Sequence, residues 1–271
     1  MQNGVPPGDP GRLDRQVGRS AFGADADGYH QARSGYPAEL FEYLSGRIAT
    51  APRILEIGAG TGLATDGLVG CNPERLVLLE PDARLCKFLE GRFAPVGAEV
   101  TCGTFPERVI TGPFDLIACA AAFHWMEPGA ALAGAKSLLA PGGTWAMWWN
   151  CYFGHGEDDP FAAIVAQVLK EEGVALAPSY HGADHYALDT GHLLGLLQQA
   201  EFSAAEHVLY RTAREYDAQS AQALCASFSF IRVLPQVIRT RVLERIANKV
   251  RDQHGGLAPG IVVTSLYAAS I

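Results

Sequence analysis

With 271 residues, 48% of them hydrophobic, the chain has enough apolar material for one large α/β domain with an elaborated cap, and is short for two independent domains of that kind. Its 21 basic and 29 acidic residues give a net charge of −8, and no basic block appears outside one late helix, which argues against a nucleic-acid substrate. No apolar run approaches the roughly 20 residues that span a bilayer and the N-terminus lacks an apolar signal-peptide core, so the expectation is a cytoplasmic protein without membrane contact, monomeric or homodimeric.

Residues 1–20 hold Gly4, Pro6, Pro7, Gly8, Pro10 and Gly11 with few apolar side chains, and read as a flexible tail. The remaining 21–271 read as a single domain. From Ala38, Leu40, Phe41 and Leu44 fall at helical spacing, which predicts a helix before the first strand. Apolar runs predict strands over 53–57, 76–80, 99–102, 114–119 and, after Gly142-Gly143, 144–149, with helical stretches between them. Such βα alternation implies a parallel sheet covered on both faces. Helices follow over 161–172 and 193–200, with a polar, His-rich loop between. A sixth strand near 207–211, a helix over 236–252 stopped by Gly255-Gly256, and a last strand over 261–268 complete the chain.

Six cysteines, Cys71, Cys86, Cys102, Cys119, Cys151 and Cys225, are scattered without a C-x-x-C pair, so neither a disulfide framework nor a zinc site is expected. His181 and His185 stand at i and i+4 with His192 beyond, but no carboxylate or thiolate completes a ligand set, and no metal is expected. The basic residues Arg239, Arg241, Arg245, Lys249 and Arg251 of the late helix form either a solvated face or a surface for an anionic acceptor.

The first strand runs into Glu56-Ile57-Gly58-Ala59-Gly60-Thr61-Gly62. Alternating glycines let a ligand lie directly against the main chain. A dinucleotide fingerprint needs G-x-G-x-x-G, whereas here the third glycine falls at 62 and Leu63 occupies the required position. Glu56 would repel a diphosphate and suits a ligand with an ammonium or other cationic group, such as S-adenosylmethionine. Glu80 ends the second strand 22 residues after Gly58, close to the roughly 20-residue offset at which a βαβ unit presents an acid to ribose hydroxyls. Its alternative reading is a solvated strand-end acid.

The acid followed by G-x-G-x-G, with the second acid at Glu80, resembles the class I S-adenosylmethionine-dependent methyltransferases. Tyr29, Arg33 and Tyr36-Pro37 before the motif, and Ala122-Phe123-His124-Trp125 after the fourth strand, are similar to the small-molecule branch that includes trans-aconitate methyltransferase. The resemblance covers about residues 22–150. It implies a Rossmann-like, doubly wound, seven-stranded and mostly parallel sheet with an antiparallel last strand and a helical cap from elements near 21–37, 151–190 and 212–235. The family usually places Ala-Gly-Phe before strand six, where this chain has Ala200-Glu201-Phe202.

Ligands of such sheets bind outside the carboxyl ends of the strands. The expected cofactor set is therefore Glu56, Gly58, Ala59, Gly60 and Gly62 for the methionine portion, Glu80 and Pro81 for the ribose, Thr104 and Phe105 beside the adenine, and Ala120 beside the sulfonium. Phe105 is equally readable as core. Arg33 is a partner for either an anionic acceptor or the cofactor's own carboxylate. Phe123, Trp125, Trp149 and Tyr152 are expected to shape a partly apolar acceptor site, and Tyr29 and Tyr36 to act from a lid over 22–37. His124 is the candidate general base, or else a cap on the strand-four turn. The expected reaction is in-line methyl transfer to an O-, C- or N-nucleophile on a small molecule. The rival readings are a nicotinamide oxidoreductase, disfavoured by the glycine spacing, and a non-catalytic S-adenosylmethionine-binding protein.

Overall fold

The computed structural model describes residues 26–153, 158–174 and 185–271; the N-terminal tail and His181 lie outside them. The strands are β1 (Arg53–Ile57), β2 (Arg75–Glu80), β3 (Glu99–Cys102), β4 (Phe114–Ala120), β5 (Leu139–Cys151), β6 (Ser203–Tyr216) and β7 (Ala258–Ser270), joined in one sheet of order β3-β2-β1-β4-β5-β7-β6. The pairs β1–β2, β2–β3, β1–β4 and β4–β5 are parallel, and the last strands are antiparallel. Strand order reverses beside β1, which puts the carboxyl ends of β1 and β4 on either side of the position where open α/β sheets bind ligands.

The helices are α1 (Ala26–Ala32), α2 (Ala38–Ser45), α3 (Thr65–Gly70), α4 (Ala83–Phe93), α5 (Pro128–Leu138), α6 (Pro160–Glu171), α7 (Thr190–Gln199), α8 (Ala218–Ala226), α9 (Ser229–Arg232) and α10 (Gln236–Asp252). An acid starts five of them. Asp82, Glu127, Asp159, Asp189 and Asp217 each accept a backbone N–H of the first turn of α4 to α8, satisfying donors that the helix itself leaves unpaired.

The chain forms two compact units. The larger holds residues 26–150, Ala187–Thr212 and Val263–Ile271. Its central strands are mostly buried and apolar because both faces are covered, and Leu40 and Leu44 of α2 join Ile54, Leu76, Leu116 and Trp148 in its core. Burying each such leucine contributes about 2 kcal/mol. The smaller unit, built from the described residues of 151–186 and 213–262, packs Phe161, Ile164 and Val168 of α6 with Leu224, Ile231, Val242, Ile246 and Val250. On its surface Glu172 accepts from Arg241 and Arg245 at 2.6 Å each, Glu171 pairs with Arg245, and Lys249 lies 3.8 Å from Glu171. Arg241, Arg245 and Lys249 of the basic stripe of α10 are therefore in intramolecular ion pairs, while Arg239 donates to the Arg232 carbonyl and Arg251 to the Asn248 side chain.

Several elements depart from the sequence expectations. β5 begins at Leu139, because Gly142 (φ +75°) is accommodated in a register shift opposite Phe114 and Leu116 instead of ending the strand. β6 and β7 are longer than expected at both ends. At the missing family glycine, Glu201 takes a left-handed φ of +57°, and the Lys136 ammonium of α5 holds the Ala200 and Glu201 carbonyls at 3.0 Å. Cys86 of α4 and Cys102 of β3 are joined in a disulfide with a Cα–Cα distance of 6.1 Å, against the expectation of unpaired cysteines. Cys119, Cys151 and Cys225 are buried thiols outside this disulfide, and Cys71 is partly exposed. Among the described residues no helix is long and apolar enough to cross a membrane, and no cluster of three or more potential metal ligands occurs.

Candidate active site

The turn after β1 is shaped by what touches it from behind. The amides of Gly58 and Ala59 both donate to the Leu79 carbonyl, at 2.8 and 3.2 Å, which folds the loop over the end of β2. Gly58 has φ +71°, and a Cβ there would stand 2.5 Å from the Ala122 Cβ at the end of β4. Gly62 has φ +82° and would place a Cβ 2.3 Å from the Phe93 ring. At Gly60 the nearest atom to such a Cβ would be 3.9 Å away, so this residue faces space. The odd spacing that excluded a dinucleotide fingerprint thus reflects two tight backbone contacts, one to β4 and one to α4.

Two acids frame the loop in different ways. Glu80 accepts from the Gly60 amide at 2.9 Å through one carboxylate oxygen and from the Asp82 amide at 3.0 Å through the other. It ties the turn after β1 to the turn after β2, and Pro81 is exposed between its partners. Glu56 is 1% exposed and accepts a 2.5 Å hydrogen bond from the Thr65 hydroxyl. Burial pushes its carboxyl up to about 8, with the Thr65 hydrogen bond opposing and Asp66 and Glu80 adding to the rise. Near neutral pH this group holds its proton.

Sequence reasoning missed Arg92. Its guanidinium donates to the Thr61 carbonyl at 2.6 Å and to Asp66 at 2.9 Å, and lies over the Phe93 ring. Nothing in its neighbourhood along the chain marks it, since it reads as a solvated helix residue. His30 of α1 was also missed: its Nδ1 lies 3.2 Å from the Thr61 hydroxyl, so the N-terminal segment touches the glycine loop.

After β4, Ala120 is buried and Ala121 takes φ +49°, its amide donating 2.7 Å to the Trp148 carbonyl. Phe123 is buried edge-on to Trp145, so its ring belongs to the core instead of lining an acceptor site as expected. Phe105 is buried too, with Gly134 of α5 beside its ring, which favours its core reading; the Thr104 carbonyl accepts from the Arg108 amide. His124 packs at a tilt against Trp125, with a centroid distance of 4.6 Å and an interplanar angle of 42°. Its Nδ1 accepts a 3.2 Å hydrogen bond from the indole N–H of Trp149, on β5.

That bond fixes the imidazole's tautomer. An indole nitrogen only donates, so Nδ1 must be bare and the proton of the neutral ring must sit on Nε2. While the bond stands, Nε2 is a donor and Nδ1 is occupied, so neither nitrogen is available to take up a proton from an acceptor. The general-base expectation for His124 gives way to a donor and orienting role. The ¹⁵N resonances of His124 are expected to show protonated Nε2 and bare Nδ1, and Trp149→Phe is expected to bring in the second tautomer. A wild-type spectrum with protonated Nδ1 would contradict the bond.

Of the N-terminal candidates, Arg33 lies over the Tyr29 ring at 5.5 Å, and Tyr36 packs edge-on against Trp148 at 5.8 Å. The larger unit thus brings together Glu56, the glycines, Glu80, Ala120, His124, Trp125, Trp149 and the N-terminal aromatics. Tyr152 belongs to the smaller unit, packed edge-on against Phe228 and buried.

A family model described as a methyltransferase domain matches residues 55–145. That stretch of the chain is similar to methyltransferase domains. An uncharacterized methyltransferase of Schizosaccharomyces pombe is 25% identical over 235 residues, covering 81% of this chain and 82% of the relative. Among solved structures, a candidate type II methyltransferase from Anaeromyxobacter dehalogenans aligns with a TM-score of 0.60 at 18% identity, covering 88% of this chain and 97% of that one. The Haemonchus contortus phosphoethanolamine N-methyltransferase 2, in complex with phosphomonomethylethanolamine and S-adenosylhomocysteine, aligns with a TM-score of 0.55 at 10% identity, covering 96% and 61%. These structures share the methyltransferase fold. The matched stretch begins in β1 and ends in β5, so it encloses the glycine loop, Glu80 and His124 and leaves Tyr29, Arg33, Tyr36 and Trp149 outside.

Proposed function

We propose that this protein is a methyltransferase that moves the methyl group of S-adenosylmethionine to a small-molecule acceptor. The observation that carries the reading is the Gly58–Gly62 turn, whose middle glycine faces space while its neighbours are clamped from behind and a buried acid stands at its base. A dinucleotide would bring a diphosphate to that acid. A cofactor with an ammonium group would instead favour the ionised form of Glu56, whose carboxyl has no cationic partner among the described residues.

Glu56, Gly58, Ala59, Gly60 and Gly62 would hold the methionine portion, Glu80 and Pro81 the ribose, Thr104 the adenine edge, and Ala120 the space beside the reacting centre. When bound, S-adenosylmethionine supplies an electrophilic methyl group on a sulfonium. The chain's task is then alignment, holding a nucleophile about 3 Å from the reacting carbon and in line with the bond that breaks. His124, as an Nε2–H donor, would orient an acceptor oxygen or nitrogen, and Trp125 and Trp149 would shape its apolar part. Tyr29 and Tyr36 would close the site from the N-terminal segment, with Arg33 facing a carboxylate. The Tyr29, Arg33, Tyr36-Pro37 and Ala122–Trp125 strings support a place in the small-molecule branch that includes trans-aconitate methyltransferase.

Calorimetry with S-adenosylhomocysteine beside NAD and NADP tests the reading: selective binding of the first supports it, and preference for a nicotinamide or no binding overturns it. In the same assay Glu80→Ala is expected to weaken S-adenosylhomocysteine by about 1–3 kcal/mol, the range for losing a buried hydrogen-bond partner. Unchanged affinity would remove Glu80 from the site.

A further inference from the structure

β5 carries the buried run Trp145-Ala146-Met147-Trp148-Trp149 and then a single amide side chain, Asn150. Asparagine is a poor strand former, so its presence in such a run asks for a reason in hydrogen bonding. Both N–H groups find one. Nδ2 lies 3.1 Å from the Ser34 carbonyl and 3.1 Å from the Gly35 carbonyl, in the segment between α1 and α2. The amide oxygen accepts from the Thr264 hydroxyl of β7 at 2.6 Å, and Thr264 is buried.

We propose that Asn150, oriented by Thr264, is a positioning residue that clamps the 26–37 segment over the glycine loop. Thr264 has one hydroxyl proton and gives it to Oδ1, which fixes which end of the amide faces β7 and turns both N–H groups toward the segment. Three attachments then pin the segment in sequence: His30 on Thr61, Ser34 and Gly35 on Asn150, and Tyr36 edge-on to Trp148, two residues before Asn150 on the same strand. Arg33 and Tyr36 flank the clamped carbonyls directly. The Asn150 side chain is engaged by Ser34, Gly35 and Thr264, so it acts through the segment it holds. The clamp's role in catalysis rests on the proposed use of the glycine loop for S-adenosylmethionine; the clamp itself does not.

Amide hydrogen exchange on the full chain, with and without S-adenosylhomocysteine, tests this. Asn150→Asp keeps an acceptor for Thr264 but sets carboxylate oxygen against two carbonyls. It is expected to speed exchange in 26–37 at least about tenfold while β1 and β4 stay protected, to abolish the slowing of that segment by S-adenosylhomocysteine, and to weaken its binding about tenfold. Thr264→Val is expected to act in the same direction, since the amide loses its orienting donor, and Thr264→Ser to behave as wild type. Wild-type exchange in 26–37 of Asn150→Asp overturns the clamp, as does a Thr264→Val protein indistinguishable from Thr264→Ser. If Asn150→Asp loses protection throughout the sheet, the two Thr264 variants decide. Should the wild type not bind S-adenosylhomocysteine, the cofactor reading fails and the exchange result still judges the clamp.

Discussion

Changing Gly58 to alanine is expected to destabilise the protein by about 2–5 kcal/mol and to weaken S-adenosylhomocysteine at least tenfold. Two costs combine. The new methyl would stand 2.5 Å from the Ala122 Cβ, deep inside van der Waals contact, and neither backbone has a flexible side chain to move. Overpacking of this kind costs about 1–3 kcal/mol, and the left-handed φ of +71° adds about 1–2 kcal/mol for any residue with a Cβ. Relief requires the loop to leave β4, which opens the turn that Gly60 presents. Gly91 of α4 supplies the contrast, since a Cβ there meets nothing within 4 Å and alanine is the better helix former; Gly91→Ala is expected to gain about 0.5–1 kcal/mol. Urea melts of both variants with calorimetry of the first decide the matter, and a Gly58→Ala protein as stable as wild type would mean that the turn is not held against Ala122.

The second large effect concerns pH. Glu56 has its folded value raised to about 8 from an ordinary 4.5, chiefly by burial, so the folded state prefers its protonated form. Its contribution to stability is complete below about 4.5 and is lost as pH rises through about 8, at up to about 1.4 kcal/mol per pH unit between them. Glutamine preserves the shape and can still accept from Thr65 but does not titrate. Glu56→Gln is therefore expected to gain stability over wild type progressively from pH 5 to pH 8.5, while binding S-adenosylhomocysteine more weakly at pH 8. Equal urea midpoints for the two proteins across that range would show that Glu56 ionises freely. A buried acid that lowers stability at working pH is more readily explained by a ligand than by the fold.

Strands β1, β2 and β4 were legible because buried strands read as apolar runs, as in Ile54-Leu55 and Leu76 to Leu79. Strands that depart from that pattern were read short. β6 alternates exposed and half-buried positions at the sheet's edge, so Arg214 and Glu215, beyond the expected strand, look like loop. β5 starts behind a Pro-Gly-Gly string that normally marks a turn and here lies within the strand. At the site, the glycines and both acids announced themselves through spacing. His124 was legible as a residue but not as a tautomer, because the partner that decides it, Trp149, is 25 residues away. The Cys86–Cys102 pair likewise joins a helix to a strand, with a separation of 16 residues that no spacing rule marks. Contacts made by folding, rather than by local periodicity, account for each omission.

Arg92 gives the glycine loop a property that its own sequence does not contain. A single guanidinium holds the Thr61 carbonyl, pairs with Asp66 at the start of α3 and covers the Phe93 ring that Gly62 makes room for. The shape of the turn is therefore set partly from α4, one crossover away. Lysine, with a point charge in place of a planar fork, cannot serve the carbonyl, the carboxylate and the ring at once. Charge exchange on the outer face of α4, ordinarily a harmless way to tune solubility, would at this one position loosen the glycine turn from outside.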